Sequence, residues 1–525
     1  MRKLISVGIG SLVAVSCLLF SGFPESAQEE VQFYPEVFHE IKHDVSPPLR
    51  DMPPGARSQG PPRTIRLLRP HPPQPATTQP DPALQTSVLP LVGTTSGLNF
   101  LGVGVGLGNY SVNSAPPDTN GAAGATQFVQ WVNTDFAVFS KTTGALAFGP
   151  VAGNTLWTGF GGQCEAHNDG DPIAQYDKAA GRWVMAQPVF ENPYTYCIAV
   201  STTSDATGSY HRYAFSMPNF PDYPKLGVWP DAYYGSFNLF SGNSFLGAYA
   251  CAFDRSKMLT GAAATQQCFH TASSFGSLLP SDLDGATAPP AGSPNYLLNF
   301  GTNSLNLWKL HVDFTTPANS TFTGPANIPV GAFSEACGGA VCIPQSGTKE
   351  KLDSLGDRLM YRLAYRNFAT AVPPHESLVV NHSVVAGTGT GVRWYELRNP
   401  GGTPSVYQQG TYAPDSKFRW MGSIAMDKVA DIAVGYSVSS SAMHPAVRYS
   451  GRVPGDPLGT LESEATIING AGSQSRNLNR WGDYSSMSID PVDDCTFWYT
   501  NEYLKASGTF NWSTQIASFK FSACQ

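Results

Sequence analysis

The chain is poor in charge. Lysine, arginine, aspartate and glutamate make up 14% of its 525 residues, about half the usual share for a soluble protein. Net charge is −7 and no basic tract runs along it, so the electrostatic footprint of nucleic-acid binding is missing. No long amphipathic helix is legible. Even "LGDRLMYRLAYRNF" also alternates and reads as strand. The patterns G-x-S-x-G and C-x-x-C-H do not occur, which argues against the common serine hydrolases and c-type haem proteins. "GVGVGLGN" is followed by no Lys-Ser or Lys-Thr and has no βαβ context, so it reads as strand or bend rather than a phosphate loop.

Turn-formers and aromatics are plentiful, with 52 glycines, 42 prolines and 12% aromatic residues. Few charges with many turns suit an all-β extracellular protein. The N-terminus supports export. Arg2 and Lys3 precede the apolar run "LISVGIGSLVAVSCLLF", and small residues follow at Ser21, Gly22, Ser26 and Ala27. Residues 1–27 therefore read as a signal peptide, leaving no integral membrane span after its removal. "AVSC" at Cys17 resembles a lipoprotein box, but the apolar run continues past it. Beyond the signal the cysteines fall as near neighbours: Cys164 and Cys197, Cys251 and Cys268, Cys337 and Cys342, Cys495 and Cys524. In an exported chain this predicts four local disulfides. No C-x₂-C pair is matched by a histidine pair, which weighs against zinc.

Residues 28–92 are Pro-rich, as in "RPHPPQPATTQPDP". They read as a disordered, extended linker, with a pro-segment as the functional alternative. From residue 93 to the end the texture is uniform: short apolar or alternating runs between Gly, Asn, Asp, Pro and Ser clusters. "RWMGSIAMD" (Arg419 to Asp427) and "RWGDYSSMSID" (Arg480 to Asp490) nearly repeat each other, roughly sixty residues apart, which is a repeat-unit period. Comparable stretches open at "PPDTNGAAG", "NDGDPIAQYD", "YPKLGVWPD", "AGSPNYLLNFG" and "LGDRLMYRLAYR". Units at this spacing fit four-stranded blades, so residues 93–525 are expected to form a β-propeller of seven blades. A β-sandwich array is the runner-up. The ring would close on "TQIASFKFSAC", alone or paired with an N-terminal strand near "LNFLGVGVG".

The stretches "APPDTNGAAGATQFVQWVN", "FPDYPKLGVWPDAYY", "LDSLGDRLMYRLAYRNF" and "RWGDYSSMSIDPVDDCTFWYTNEY" resemble a family of large secreted bacterial proteins described as propeller- or sialidase-like. The resemblance covers nearly all of 93–525 and implies location and fold, not chemistry. The Asp-box of true sialidases is missing; "YDKAAGRW" keeps only its Asp, Gly and Trp.

In a propeller, ligands bind at the axial funnel. The unit starts bring candidate catalytic residues Asp171, Asp231, Asp483, Tyr484 and His167, and candidate ligand-binding residues Arg358, Arg419, Arg480, Asp118 and Lys225. Three arginines could converge on one anion. A carboxylate pair could serve glycoside hydrolysis, and His167 with Tyr484 and an arginine a lyase. The plain alternative is that these groups form structural ion pairs between blades. "HNDGDP" and "SDLDG" resemble calcium loops without matching EF-hand spacing; otherwise no cofactor is expected. The expected function is extracellular binding, with possible cleavage, of a polysaccharide, acidic by preference. The alternative is a non-catalytic surface or adhesion module.

Overall fold

The computed structural model describes residues 34–55, 60–71 and 80–525. The expected signal peptide lies outside the described residues. The fold is a β-propeller. Four blades stand as separate antiparallel sheets. One comprises Thr119–Ala123, Gln127–Val132, Asp135–Ser140 and Leu146–Ala152. The next runs from Ile173–Asp177 to Tyr210–Ser216, and a third from Phe220–Val228 to Thr265–His270. The fourth takes Ser486–Ile489, Phe497–Leu504 and Trp512–Phe521 from the C-terminal end and Thr94–Leu101 from the N-terminal side. That last pairing, Gln515 opposite Leu101 through Phe521 opposite Thr94, closes the ring with strands from both ends of the fold.

Seven separate blades were expected, and four are found. Apart from two small two-stranded sheets, the remaining described strands form one twelve-stranded sheet. It contains three antiparallel meanders, 279–329, 360–412 and 418–468. Short parallel contacts weld them: Ser281–Leu283 beside Leu363–Tyr365, and Thr390 beside Phe418. At the first of these contacts two first strands crowd so closely that they share backbone hydrogen bonds as well as side-chain contacts. The same crowding explains the small residues. A Cβ on Gly227 would lie 2.4 Å from the Ser281 carbonyl oxygen of the next first strand.

Packing also explains the low charge. Strands such as Thr195–Ser201 are buried on both faces, because each sheet lies between neighbours and alternation cannot leave one face in water. All four predicted disulfides are present: Cys164–Cys197, Cys251–Cys268, Cys337–Cys342 and Cys495–Cys524. No helix among the described residues is long and apolar enough to cross a membrane.

The Pro-rich segment differs from expectation. Where described, it is docked on the propeller, not free. Glu36–His39 pairs with Thr265–His270, and Lys42–Val45 with Tyr210–Ser216, each adding a fifth strand to a blade. Leu49 and Met52 are buried in an inter-sheet core. Farther along, Asp81 pairs with the buried Arg393 and accepts from the Thr411 hydroxyl at 2.6 Å. Proline removes donors but leaves carbonyls, anchoring side chains and the residues between free to bond to open strand edges.

Candidate functional site

The starts of the first strands meet at one end of the propeller axis. Six carry a non-glycine residue with positive φ: Asp118 (46°), Asp171 (51°), Tyr223 (54°), Ser277 (53°), Met421 (56°) and Asp483 (64°). Two of these sit in bulges, between Asp222 and Lys225 and between Trp420 and Ser423. Left-handed residues and bulges re-aim side chains, and here they gather a charged cluster that a regular strand would spread over two faces.

The carboxyl groups of Asp118 and Asp171 lie within hydrogen-bonding reach of each other. Burial drives Asp118 well above the usual carboxylate range, and the nearby Asp483 and Asp171 push the same way. Burial raises Asp171 too, but Lys225 and the Tyr223 backbone N–H, donating at 3.0 Å, favour its anion. The proton of the pair therefore rests on Asp118. Asp222 is half-buried by accessible surface yet ringed by protein at longer range. That desolvation and the charge of Asp171 hold its carboxyl well above the usual range.

Lys225 is fully buried, and burial brings its ammonium down to about 7. Its Nζ donates to the Pro224 carbonyl at 2.7 Å and lies 3.4 Å from the centre of the Tyr223 ring and 4.1 Å from that of Tyr484. Arg358 grips Asp357 through Nε and Nη2, at 2.9 and 3.1 Å, and stands 4.5 Å from the centre of the Tyr223 ring. Its Nη1 and the Tyr223 hydroxyl are buried without a hydrogen-bond partner among the described residues. Arg480 is paired with Asp483. The Tyr484 hydroxyl donates to the Pro172 carbonyl at 3.1 Å.

Beside this cluster opens a cavity of about 570 Å³ whose lining includes Arg358, Asn299, Asn306, Phe275, Phe300 and His71. Phe275 and Phe300 are half-buried, so each offers surface to the cavity. Burial lowers the His71 imidazole, with Asp357 opposing and Arg358 adding to the shift.

Residues 63–71 lie across the same end of the axis as a strap. Arg63–Thr64 pairs with Ser114–Ala115. The Ile65 carbonyl accepts from Arg480 Nε at 3.1 Å, and Leu67 packs on a central core. Arg69 bonds to Asp357 at 2.9 Å and Asp353 at 3.0 Å.

The structure thus brings Asp118, Asp171, Lys225, Arg358, Arg480, Asp483 and Tyr484 together. It does not bring in the others. Arg419 is turned away to Glu464 and Asp415, at 2.9 and 2.8 Å, so the three arginines do not converge. Its neighbour Trp420 does meet Trp481, with ring centroids 5.9 Å apart. Asp231 sits past the far end of its strand, accepting from the Tyr234 hydroxyl at 3.1 Å. His167 follows the short helix Gly162–Ala166 and lines a separate cavity of about 570 Å³ with Arg63, Glu165 and Asp169. Of the calcium-like loops, "SDLDG" is neutralised by cations: Arg362 bonds to both Asp282 and Asp284, and Lys178 to Asp284. In "HNDGDP", Asp169 accepts the Phe190 N–H at 2.8 Å and Asp171 joins the axis. Among the described residues no group of three or more His, Cys, Asp or Glu is arranged around a metal. Sequence reading missed Asp222, Tyr223, Asp353 and the strap. Asp222 directly precedes "YPKLG" and Tyr223 opens it, and only the bulge makes them axial.

No family model matches the chain, and no curated protein matches it. The resemblance to secreted propeller- or sialidase-like proteins rests on the motifs. Among solved structures, the chain is similar to a protein of unknown function from Dyadobacter fermentans, at 10% identity and TM-score 0.37, over 82% of this chain and 99% of that one. It is similar to the WD40 domain of SCAP from fission yeast, at 6% identity and TM-score 0.32, over 76% and 82%. It is also similar to a family 117 glycoside hydrolase from Zobellia galactanivorans, at 10% identity and TM-score 0.23, over 67% and 83%. The fold is read from the strand pairing above, and the chemistry from the residues.

Proposed function

We propose that the chain is a secreted propeller, built as seven blades with the twelve-stranded sheet supplying three. Its axial mouth and adjoining cavity bind an acidic polysaccharide. The observation that carries this reading is the buried Nη1 of Arg358, without a hydrogen-bond partner among the described residues, at the edge of a cavity whose lining includes two phenylalanines and two asparagines. Aromatic faces and amides suit sugar rings, and a free guanidinium N–H suits a uronate carboxylate. Acid–base groups stand beside it. Burial and Asp171 hold the half-exposed Asp222 well above the usual carboxylate range, Lys225 and the Tyr223 N–H favour the Asp171 anion, and burial brings Lys225 down to about 7. Groups whose surroundings push their pKa values apart can serve as acid and base on one bond. Cleavage would use Asp222 as the acid and Asp171 or Lys225 as the base. The strap must move for a polymer to reach them.

The test is retention and product release on uronate-rich and neutral polysaccharides, with Arg358→Gln alongside the unaltered chain. Preference for uronate polymers, lost in the variant, is expected. A folded chain that retains and releases nothing sinks the reading. The second reading, a non-catalytic surface module, is favoured by the strap itself, which binds Asp353 and Asp357 through Arg69. It predicts retention without release.

A further inference from the structure

Away from the axial mouth, the hairpin turn between Phe418–Met426 and Ile432–Ser440 holds two carboxylates that form no salt bridge among the described residues. Asp427 and Asp431 are each 0% exposed. Asp427 Oδ1 accepts the backbone N–H groups of Val429 and Asp431, at 2.9 and 3.0 Å. Asp427 Oδ2 and both oxygens of Asp431 face no donor among the described residues. The two carboxyl groups lie within hydrogen-bonding reach of each other. The charged groups that act on them through space are Arg366 and Arg452, which favour the anions, and Glu462 and Asp456, which oppose them. Arg366 is committed to Asp494, with two bonds of 2.7 Å, and Arg452 donates to the Asp456 carbonyl at 2.8 Å.

The same turn in two other blades shows what is missing. Asp177 ends the strand Ile173–Asp177, and its Oδ1 accepts a turn N–H from Ala180 at 3.0 Å. Arg255, just after the third strand of the next blade, bonds to its Oδ2 at 2.7 Å. Asp490 follows the strand Ser486–Ile489 and accepts from Val492 at 2.9 Å. Lys141, again just after the third strand of the following blade, bonds to it at 2.7 Å. For Asp427 the matching position, after the third strand Trp512–Phe521, is Ser522. A cation present twice is absent once, and there a second buried carboxylate appears. Buried carboxylate oxygens without donors carry a large desolvation cost unless a cation meets them.

We propose that Asp427 and Asp431 hold a hard divalent cation, calcium, with backbone carbonyls and water completing an all-oxygen coordination sphere. Two carboxylates without histidine or thiolate suit calcium rather than zinc. The bound ion does for this turn what Arg255 and Lys141 do for the others.

The experiment titrates calcium chloride, and magnesium chloride in parallel, into the chelator-treated full chain. Calorimetry reads binding and Tm reads stability. One calcium site and a rising Tm are expected, with a weaker magnesium response. Asp431→Asn and Asp427→Asn should each lose that site. Ser522→Lys, at an exposed position, should raise Tm in chelator and remove the calcium response. A wild-type chain that binds no calcium overturns the proposal, and the pair then shares a proton instead. Asparagine variants that both keep the full response overturn it as well, because the ion would then sit elsewhere.

Discussion

The two ends of the propeller axis are built by the same first strands, yet they handle charge differently. At the far end, Arg362 bonds to Asp282 at 2.8 Å and also to Asp284, which Lys178 meets from the blade that begins at Ile173–Asp177. Burial pushes Asp284 up, but Arg362 and Lys178 more than offset it and hold the carboxyl below its usual range. Every charge there has an opposite, and the group is closed. At the mouth, Lys225 bonds to a carbonyl and faces two aromatic rings, and Arg358 keeps one N–H free. Neither Lys225 nor Asp222 forms an ion pair among the described residues. A buried network in balance is structural; one held out of balance is ready to take a ligand or move a proton.

Breaking the balanced end should have the larger effect. Arg362→Ala strands two buried carboxylates, and removing one partner of a buried pair costs about 3–5 kcal/mol. Denaturant unfolding at pH 7 with disulfides intact should show that loss. Arg358→Gln at the mouth should shift stability far less while abolishing uronate preference. Equal losses would erase the distinction between the two ends.

The strap sharpens the comparison. Arg69→Ala removes bonds to Asp353 and Asp357, a cost of about 1.5–3 kcal/mol for charged hydrogen bonds. Its more telling effect should be access. Lys225 should react with an amine-acylating reagent several-fold faster in this variant, as read by peptide mass spectrometry. An unchanged rate would mean that the strap does not cover the mouth in solution.

Much of this was legible in the sequence, for identifiable reasons. Disulfides followed from cysteine spacing, because each bridge is local. Asp118, Asp171 and Asp483 were found because each lies within three residues of the start of a first strand, near a Gly or Pro. Arg419 was misplaced because "RWMG" and "RWGD" look alike, while a bulge at Met421 and a carboxylate at Glu464, far along the chain, turn the first arginine outward. The strap was unreadable because its fold depends on strand edges and carboxylates that only the assembled ring provides. Blade count failed where parallel contacts fuse meanders, since hydrogen bonding between crowded first strands leaves no mark in a period.

The lysine of the mouth gives a pH test. Its folded value, about 7, lies below the unfolded value near 10.4. Below about 7 both states carry the charge, and the folded state bears the full burial penalty. Between about 7 and 10.4 the unfolded chain binds more protons, so stability contributed by this group rises with pH. Lys225→Met removes the penalty. The variant should gain on the wild type at pH 6, and that gain should shrink by about 1 kcal/mol or more by pH 9. A gain independent of pH would show that Lys225 is not depressed.

The smallest effect is expected at Tyr484, and it separates packing from chemistry within the mouth. The ring lies under the Lys225 ammonium and 6.2 Å from the Tyr223 and Tyr361 rings, while the hydroxyl is spent on the Pro172 carbonyl at 3.1 Å. Tyr484→Phe keeps the ring and loses one neutral hydrogen bond, a cost of about 0.5–1.5 kcal/mol. The carbonyl it leaves adjoins Asp171, so a shift in backbone there would disturb the carboxyl pair. Polysaccharide retention and any product release should nevertheless stay within twofold of wild type, because the hydroxyl points at the backbone and not at the cavity. Tyr223→Phe is the matched control: its hydroxyl has no hydrogen-bond partner among the described residues, so stability should be unchanged or raised while retention falls. If Tyr484→Phe lost turnover and Tyr223→Phe did not, Tyr484 and not Asp222 would be the proton donor of the mouth, and the cavity would have to be entered from the opposite side of the Lys225 ammonium.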